Sequence, residues 1–248
     1  MNKQERILVY GSAGSGKTYA WLSLARLNPE SIFHCIDTDA SIDRMLQTEF
    51  VDLQNVKVYP ARSWRKLEQA LNLIESEAKS GDWIIVDMLC SCWDFAQAHF
   101  VEQIHGKKID DYYMEARKSM KKGERLQAIS GWDGWSVINK FYQDWINHIC
   151  YELPQCNIFF TAKSTTIAST DDPEVKDIFE SIGAKPEGEK RNYYRVHTVL
   201  YFAHSTASYV MTTAKDRGRK RFFAEPVNNF GKQYIAIINS KGGGQETQ

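Results

Sequence analysis

Eight consecutive residues, Gly11-Ser12-Ala13-Gly14-Ser15-Gly16-Lys17-Thr18, carry the densest chemical signal in this chain. Glycines spaced in this way let the backbone turn tightly enough to aim several N–H groups at one point, the geometry that binds phosphate oxygens. A lysine directly after the third glycine reaches the β and γ phosphates of a nucleotide, and the threonine hydroxyl beside it is a ligand for Mg²⁺. The string fits G-x-x-x-x-G-K-[ST] at every fixed position and predicts a P-loop that takes ATP with Mg²⁺.

A second metal ligand is expected at the end of a buried strand. Trp83-Ile84-Ile85-Val86 is a continuous apolar run closed by Asp87. It fits the Walker B aspartate, which holds Mg²⁺ through water from the strand beside the P-loop. Many P-loop ATPases place a glutamate next to align the attacking water, but here that position is Met88, so the base must come from elsewhere. Asp37 and Asp39 end the predicted strand Ser31–Ile36 and open onto the same crevice at the carboxyl edge of the sheet. The same pair also reads as a cap cluster for a helix from Ser41 onward.

The elements that must hold these residues follow from hydrophobic periodicity. Arg6–Tyr10 is a short apolar strand before the loop, and Thr18–Leu27 a helix after it, stopped by Asn28-Pro29. The positive end of that helix faces the phosphates. A helical stretch is expected at Ser41–Leu46, a short strand at Val56–Tyr59, an amphipathic helix at Ser63–Lys79 and a long helix at Trp135–Leu153. Asn157–Thr161 is another core strand, and Ser169–Arg191 an exposed loop or short helix. Strands apolar on both faces and alternating with helices predict a mostly parallel central sheet with helices on both faces. Tyr194–Phe202, Ser208–Thr213 and Gln233–Ile238 predict antiparallel strands added to one edge.

At 248 residues the expectation is one α/β domain over residues 1–240, with a disordered tail at 241–248. A polar insertion at about 103–130 interrupts the rhythm. It carries Lys107, Lys108, Arg117, Lys118, Lys121, Lys122 and Arg125 among Asp110, Asp111, Glu115 and Glu124, and reads either as a solvated helix pair or as a DNA-contacting loop. Lysine plus arginine equals aspartate plus glutamate at 31 each, so nucleic-acid binding would need a local patch. The odd set of five cysteines lies in apolar segments, and Cys90-Ser91-Cys92 lacks zinc spacing; buried free thiols in a reducing compartment are expected. A polar start and the lack of an apolar run of about 20 residues predict no signal peptide, no membrane span and a cytoplasmic protein, in the host cytoplasm if viral.

Together these residues resemble the RecA-like P-loop ATPases, specifically the short phage-type proteins of single-strand annealing and recombination, over most of the chain. Cys35-Ile36-Asp37-Thr38-Asp39-Ala40-Ser41-Ile42-Asp43 is similar to the family strand that delivers the catalytic carboxylate, which implies that role for Asp39. The family usually has glutamate there; the shorter aspartate implies slow hydrolysis or a base shared with Asp37. Asn157-Ile158-Phe159-Phe160-Thr161-Ala162-Lys163 resembles the sensor strand, implying Thr161 as the sensor of the γ phosphate. Lys163 and Ser164 would begin the loop that faces nucleic acid. Thr213-Ala214-Lys215-Asp216-Arg217 looks like the K-x-R element whose cations reach a neighbouring subunit's γ phosphate, implying Lys215 and Arg217 as fingers acting in trans. With Arg219, Lys220 and Arg221 the same segment also reads as a basic hairpin.

The resemblance implies an ATP-hydrolysing homo-oligomer with shared ATP sites, acting on single-stranded DNA in phage recombination, annealing or replication. A packaging or helicase-type motor, and a KaiC-like nucleotide switch without DNA, are the competing readings. Only about five residues precede the first strand, which predicts no filament assembly through an N-terminal segment.

Overall fold

The apolar run before the glycine-rich loop is buried on both of its faces. The computed structural model describes residues 4–119, 132–153, 155–204, 208–217, 225–226 and 230–233. In it that run becomes β1 (Arg6–Gly11), followed by α1 (Lys17–Leu27), β2 (Phe33–Asp37), α2 (Ile42–Gln47), β3 (Val56–Pro60) and α3 (Trp64–Glu77). Next come β4 (Trp83–Asp87), α4 (Leu89–His105), α5 (Ile109–Ser119) and α6 (Trp132–Asn147), the last continuing as a π-helical turn to Glu152. The remainder is β5 (Asn157–Thr166), α7 (Pro173–Phe179), β6 (Ala184–Pro186), α8 (Asn192–Arg195), β7 (Thr198–His204), β8 (Tyr209–Asp216) and β9 (Glu225–Pro226).

The strands lie in the order β3-β2-β4-β5-β1-β7-β8-β9. The first six are mutually parallel, while β8 and β9 close the edge in antiparallel pairing and β6 pairs back onto the far end of β5. This is the expected α/β fold with antiparallel strands at one edge. Because side chains alternate along a strand, Leu8, Tyr10, Val86 and Phe160 enter the core shared with α3, α4 and α6, whereas Ile7, Val9, Ile85 and Phe159 enter the core under α1. Each such fully buried aliphatic or aromatic side chain contributes about 1.5–3 kcal/mol by leaving water.

The C-terminal third departs from expectation. The strand expected at Tyr194–Phe202 starts at Thr198; Tyr194 and Arg195 belong to α8. There buried Asn192 donates to and accepts from the Tyr142 hydroxyl, a tertiary contact that overrides local strand preference. The strand expected to stop at Thr161 runs on to Thr166 because β6 pairs with its end, and the stretch 169–191, expected as an exposed loop or short helix, holds the short helix α7 and, unexpectedly, the strand β6. The expected insertion supplies the end of α4 and all of α5, which buries none of its residues; positions 120–130 lie outside the described residues. Gln233 sits in a helical turn at 230–233 rather than in a strand, and the rest of that expected strand and the tail at 241–248 lie outside the described residues. All five cysteines are buried free thiols. Among the described residues no helix is long and apolar enough to cross a membrane.

Candidate functional site: a P-loop at the carboxyl edge of the sheet

Residues Gly11 to Thr18 turn where β1 gives way to α1, so the loop lies at the carboxyl edge of a central strand with a helix N-terminus beneath it. Gly16 adopts φ +90°, a left-handed conformation that disfavours any side chain. Gly11 is glycine for a different reason: a Cβ there would stand 2.2 Å from the carbonyl oxygen of Phe202 on the paired strand β7. The Lys17 ammonium donates to the carbonyls of Gly11 at 3.0 Å and Ser12 at 2.8 Å. Burial lowers the Lys17 pKa, opposed by the charge of Asp87 and, more weakly, of Asp39. Ser15 is buried, 1% exposed, and among the described residues its hydroxyl has no hydrogen-bond partner, as expected of a loop whose polar atoms are built for a ligand.

Asp87 is the hub. It is fully buried and accepts hydrogen bonds from the Thr18 hydroxyl at 2.8 Å, the Trp21 indole N–H at 3.0 Å and the Thr161 hydroxyl. Burial raises its pKa, and the three donors oppose that rise. The adjoining backbone is pinned by Thr38, whose N–H donates to the Asp87 carbonyl at 2.7 Å and whose hydroxyl accepts from the Met88 N–H at 2.7 Å. The Asp87–Met88 peptide bond is cis. Thr18 and Asp87 are hard oxygen donors in mutual contact, a set that suits Mg²⁺ with water and phosphate oxygens completing its shell. Among the described residues no group of three or more His, Cys, Asp or Glu forms a protein-only metal cage.

The two carboxylates at the end of β2 have different surroundings. Asp37, aligned in register with Asp87, is buried and accepts from the backbone N–H groups of Asp39 at 3.3 Å and Ala40 at 3.0 Å, so it builds the turn; burial raises its pKa. Asp39 is exposed, accepts from the Ser41 N–H at 3.1 Å and precedes Ala40 at φ +60°. Its charge acts on both Lys17 and Asp87, so it lies at the crevice while also bonding to the start of α2.

Lys215 and Arg217 are brought together, though not at this loop. The Lys215 ammonium donates to the carbonyls of Tyr193 at 2.6 Å and Val196 at 3.2 Å, and Arg217 donates to that of Tyr194 at 3.1 Å. The register between β7 and β8 shifts between Val199 and Leu200, leaving Ala214 unpaired, which turns Lys215 to the sheet face opposite α1. Burial and the Arg217 charge lower the Lys215 pKa to about 8.

On the other side of β1 from Asp87, a pocket of about 300 Å³ opens beside Ser15 and Gly16, lined by Tyr19, Phe202, Tyr209 and Phe230. These aromatics come from four separate segments, and no sequence spacing joins them.

The fold has a counterpart among known structures. The chain is similar in structure to the RadB recombinase, with TM-score 0.54 and 14% identity over 92% of this chain and 89% of that one. A likeness to an ATP synthase subunit NeqB from Nanoarcheaum equitans has TM-score 0.40 and 12% identity, over 82% of this chain and 48% of that one. No curated protein sequence matches the chain significantly. Residues 3–233 match the sequence family described as an AAA domain. The chain therefore belongs to the AAA domain family and is a nucleotide-binding P-loop ATPase of RecA-like fold.

Proposed function

We propose that this protein hydrolyses ATP with Mg²⁺ and acts on single-stranded DNA in recombination or annealing of the phage type, as a homo-oligomer whose ATP sites are shared between subunits. The observation that carries the ATPase half is the contact of Thr18 with buried Asp87 at the foot of a P-loop. The DNA half draws support from the fold likeness to a protein described as a recombinase and from the basic residues in 103–130 and 215–221.

The loop amides and Lys17 hold the β and γ phosphates, and the nucleoside extends toward Tyr19 and Tyr209, on the side of β1 away from Asp87. Thr18 directly and Asp87 through water would hold Mg²⁺, which when bound neutralises phosphate charge. Asp39 aligns the attacking water and accepts its proton, while Thr161, bonded to Asp87, carries movement at the site along β5. Lys215 and Arg217 leave their own chain's carbonyls to reach the neighbour's γ phosphate.

ATPase rates measured with and without single-stranded DNA test this reading. Stimulation by the strand supports it, and a rate indifferent to every nucleic acid removes the DNA role. Mixing Lys17→Ala with Arg217→Ala subunits tests the shared site: activity returns in the mixture if the finger works in trans and stays absent if it does not.

A further inference from the structure

Lys163 occupies a position at the site that neither the P-loop nor the expected fingers account for. It stands two residues beyond Thr161 on β5, and residues at i and i+2 of a strand share a face. Thr161 points to Asp87, on the α1 face of the sheet, so Lys163 is directed to the same face one step nearer the crevice. In register it is paired with Gly11, the first residue of the P-loop. Thr161 is fully buried with its hydroxyl committed to Asp87, whereas Lys163 is exposed, just before the stretch of β5 that pairs with β6. Its charge acts on the Lys17 ammonium, so the two cations approach one region, one from β5 and the other from the first turn of α1. Among the described residues the Lys163 side chain makes no hydrogen bond or ion pair, although its charge acts on Asp94, which Glu187 also faces. Lys215 and Arg217 of the same subunit are held on carbonyls of residues 193–196, on the opposite face.

We propose that Lys163 is a catalytic residue that contacts the γ phosphate from within its own subunit and supplies in cis part of the charge an arginine finger would supply in trans. The proposal rests on the ATPase reading. In the reaction the water oxygen bonds to the γ phosphorus as the bond to the β–γ bridging oxygen breaks, the proton passing to Asp39. Lys163 forms and breaks no covalent bond; it offsets negative charge on the γ oxygens as the transition state develops. The residue distinguishes ATP from ADP, because only ATP carries the group it reaches.

The test compares wild type, Lys163→Ala and Lys163→Arg for affinity toward ADP and toward a non-hydrolysable ATP analogue and for ATPase rate, all without DNA, and separately for affinity toward single-stranded DNA. Lys163→Ala should bind ADP within about twofold of wild type, lose about tenfold in affinity for the analogue, and lose about 10²-fold in kcat, the scale of removing one transition-state donor. Lys163→Arg should restore most of both losses. Because the side chain is exposed, thermal unfolding of the three proteins should coincide. A Lys163→Ala protein with unchanged nucleotide discrimination and kcat, weakened only toward single-stranded DNA, overturns the proposal and makes the lysine a DNA contact. Mixing Lys163→Ala with Lys17→Ala subunits should give no rescue, since both lysines serve one site in one subunit; recovered activity would overturn the cis assignment. A wild-type chain that binds neither nucleotide overturns the ATPase reading itself.

Discussion

Gly11→Ala tests whether the P-loop's position is set by crowding between strands. The new Cβ would stand 2.2 Å from the Phe202 carbonyl oxygen and 2.6 Å from the Ser15 hydroxyl, where real contacts stay beyond 3.0 Å. Ser15 can turn its hydroxyl away. The carbonyl cannot yield in that way, because Phe202 is paired in register with Gly11, so β1 and β7 must part by nearly an ångström. Overpacking of this kind costs about 1–3 kcal/mol. For a chain of this length each kcal/mol lowers Tm by roughly 2–4 °C, which gives a loss of about 2–12 °C. A loop displaced on this scale should also turn over ATP about 10²-fold more slowly. Gly14 is the control: nothing lies within 4 Å of its Cβ position, but its φ is +73°. Gly14→Ala should lose about 1–2 kcal/mol through conformation alone, and Gly14→Asn should recover most of it, because asparagine tolerates the left-handed region. Thermal unfolding and ATPase assays on the set decide the matter. A Gly11→Ala protein that melts with wild type and keeps its rate would refute the crowding argument, and a Gly14→Asn protein no better than Gly14→Ala would refute the conformational one.

Three further outcomes are expected. Tyr209→Ala should weaken ATP binding by about 1–3 kcal/mol, the value of one base stack, and leave inorganic triphosphate competition unchanged; equal losses for both ligands would mean that Tyr209 supports the loop instead. Trp21→Phe removes the indole donor from buried Asp87 and should cost about 1.5–3 kcal/mol by urea unfolding, so a loss below about 0.5 kcal/mol would deny that hydrogen bond its weight. The Lys215 pKa is lowered to about 8, so its ammonium is present below that pH and lost above it. If that charge serves catalysis, the wild-type kcat/KM, which reports the free enzyme with Lys215 in this buried seat, falls as pH rises through about 8, while Lys215→Arg holds its value because guanidinium stays protonated; a flat wild-type kcat/KM profile there would exclude the role.

The local signals were strong because they are contiguous. The P-loop string, the apolar run ending in Asp87 and the alternation of strand and helix each lie within one stretch of chain, and local steric and hydrophobic rules suffice to read them. The α/β class and the order of most elements followed. Helix α8 did not, because Asn192 and Tyr193 are held by a hydrogen bond and packing against α6 and α7 that no local pattern reveals. The register shift at Ala214 was equally hidden, and it decides which face Lys215 takes.

What the sequence determined by itself was the loop's chemistry, since glycine's freedom and the fixed spacing of Lys17 and Thr18 are properties of eight adjacent residues. What only the tertiary structure decided was the company that loop keeps. Strand order brings Asp87, Thr161 and Lys163 to one side of β1 and the aromatic pocket to the other, from segments up to about two hundred residues apart. Among the described residues, burial then leaves Asp87 held by three donors and the Ser15 hydroxyl by none. Residues distant in the chain become neighbours only when the sheet closes around a shared core, and the order in which its strands pair is set by packing rather than by adjacency in sequence.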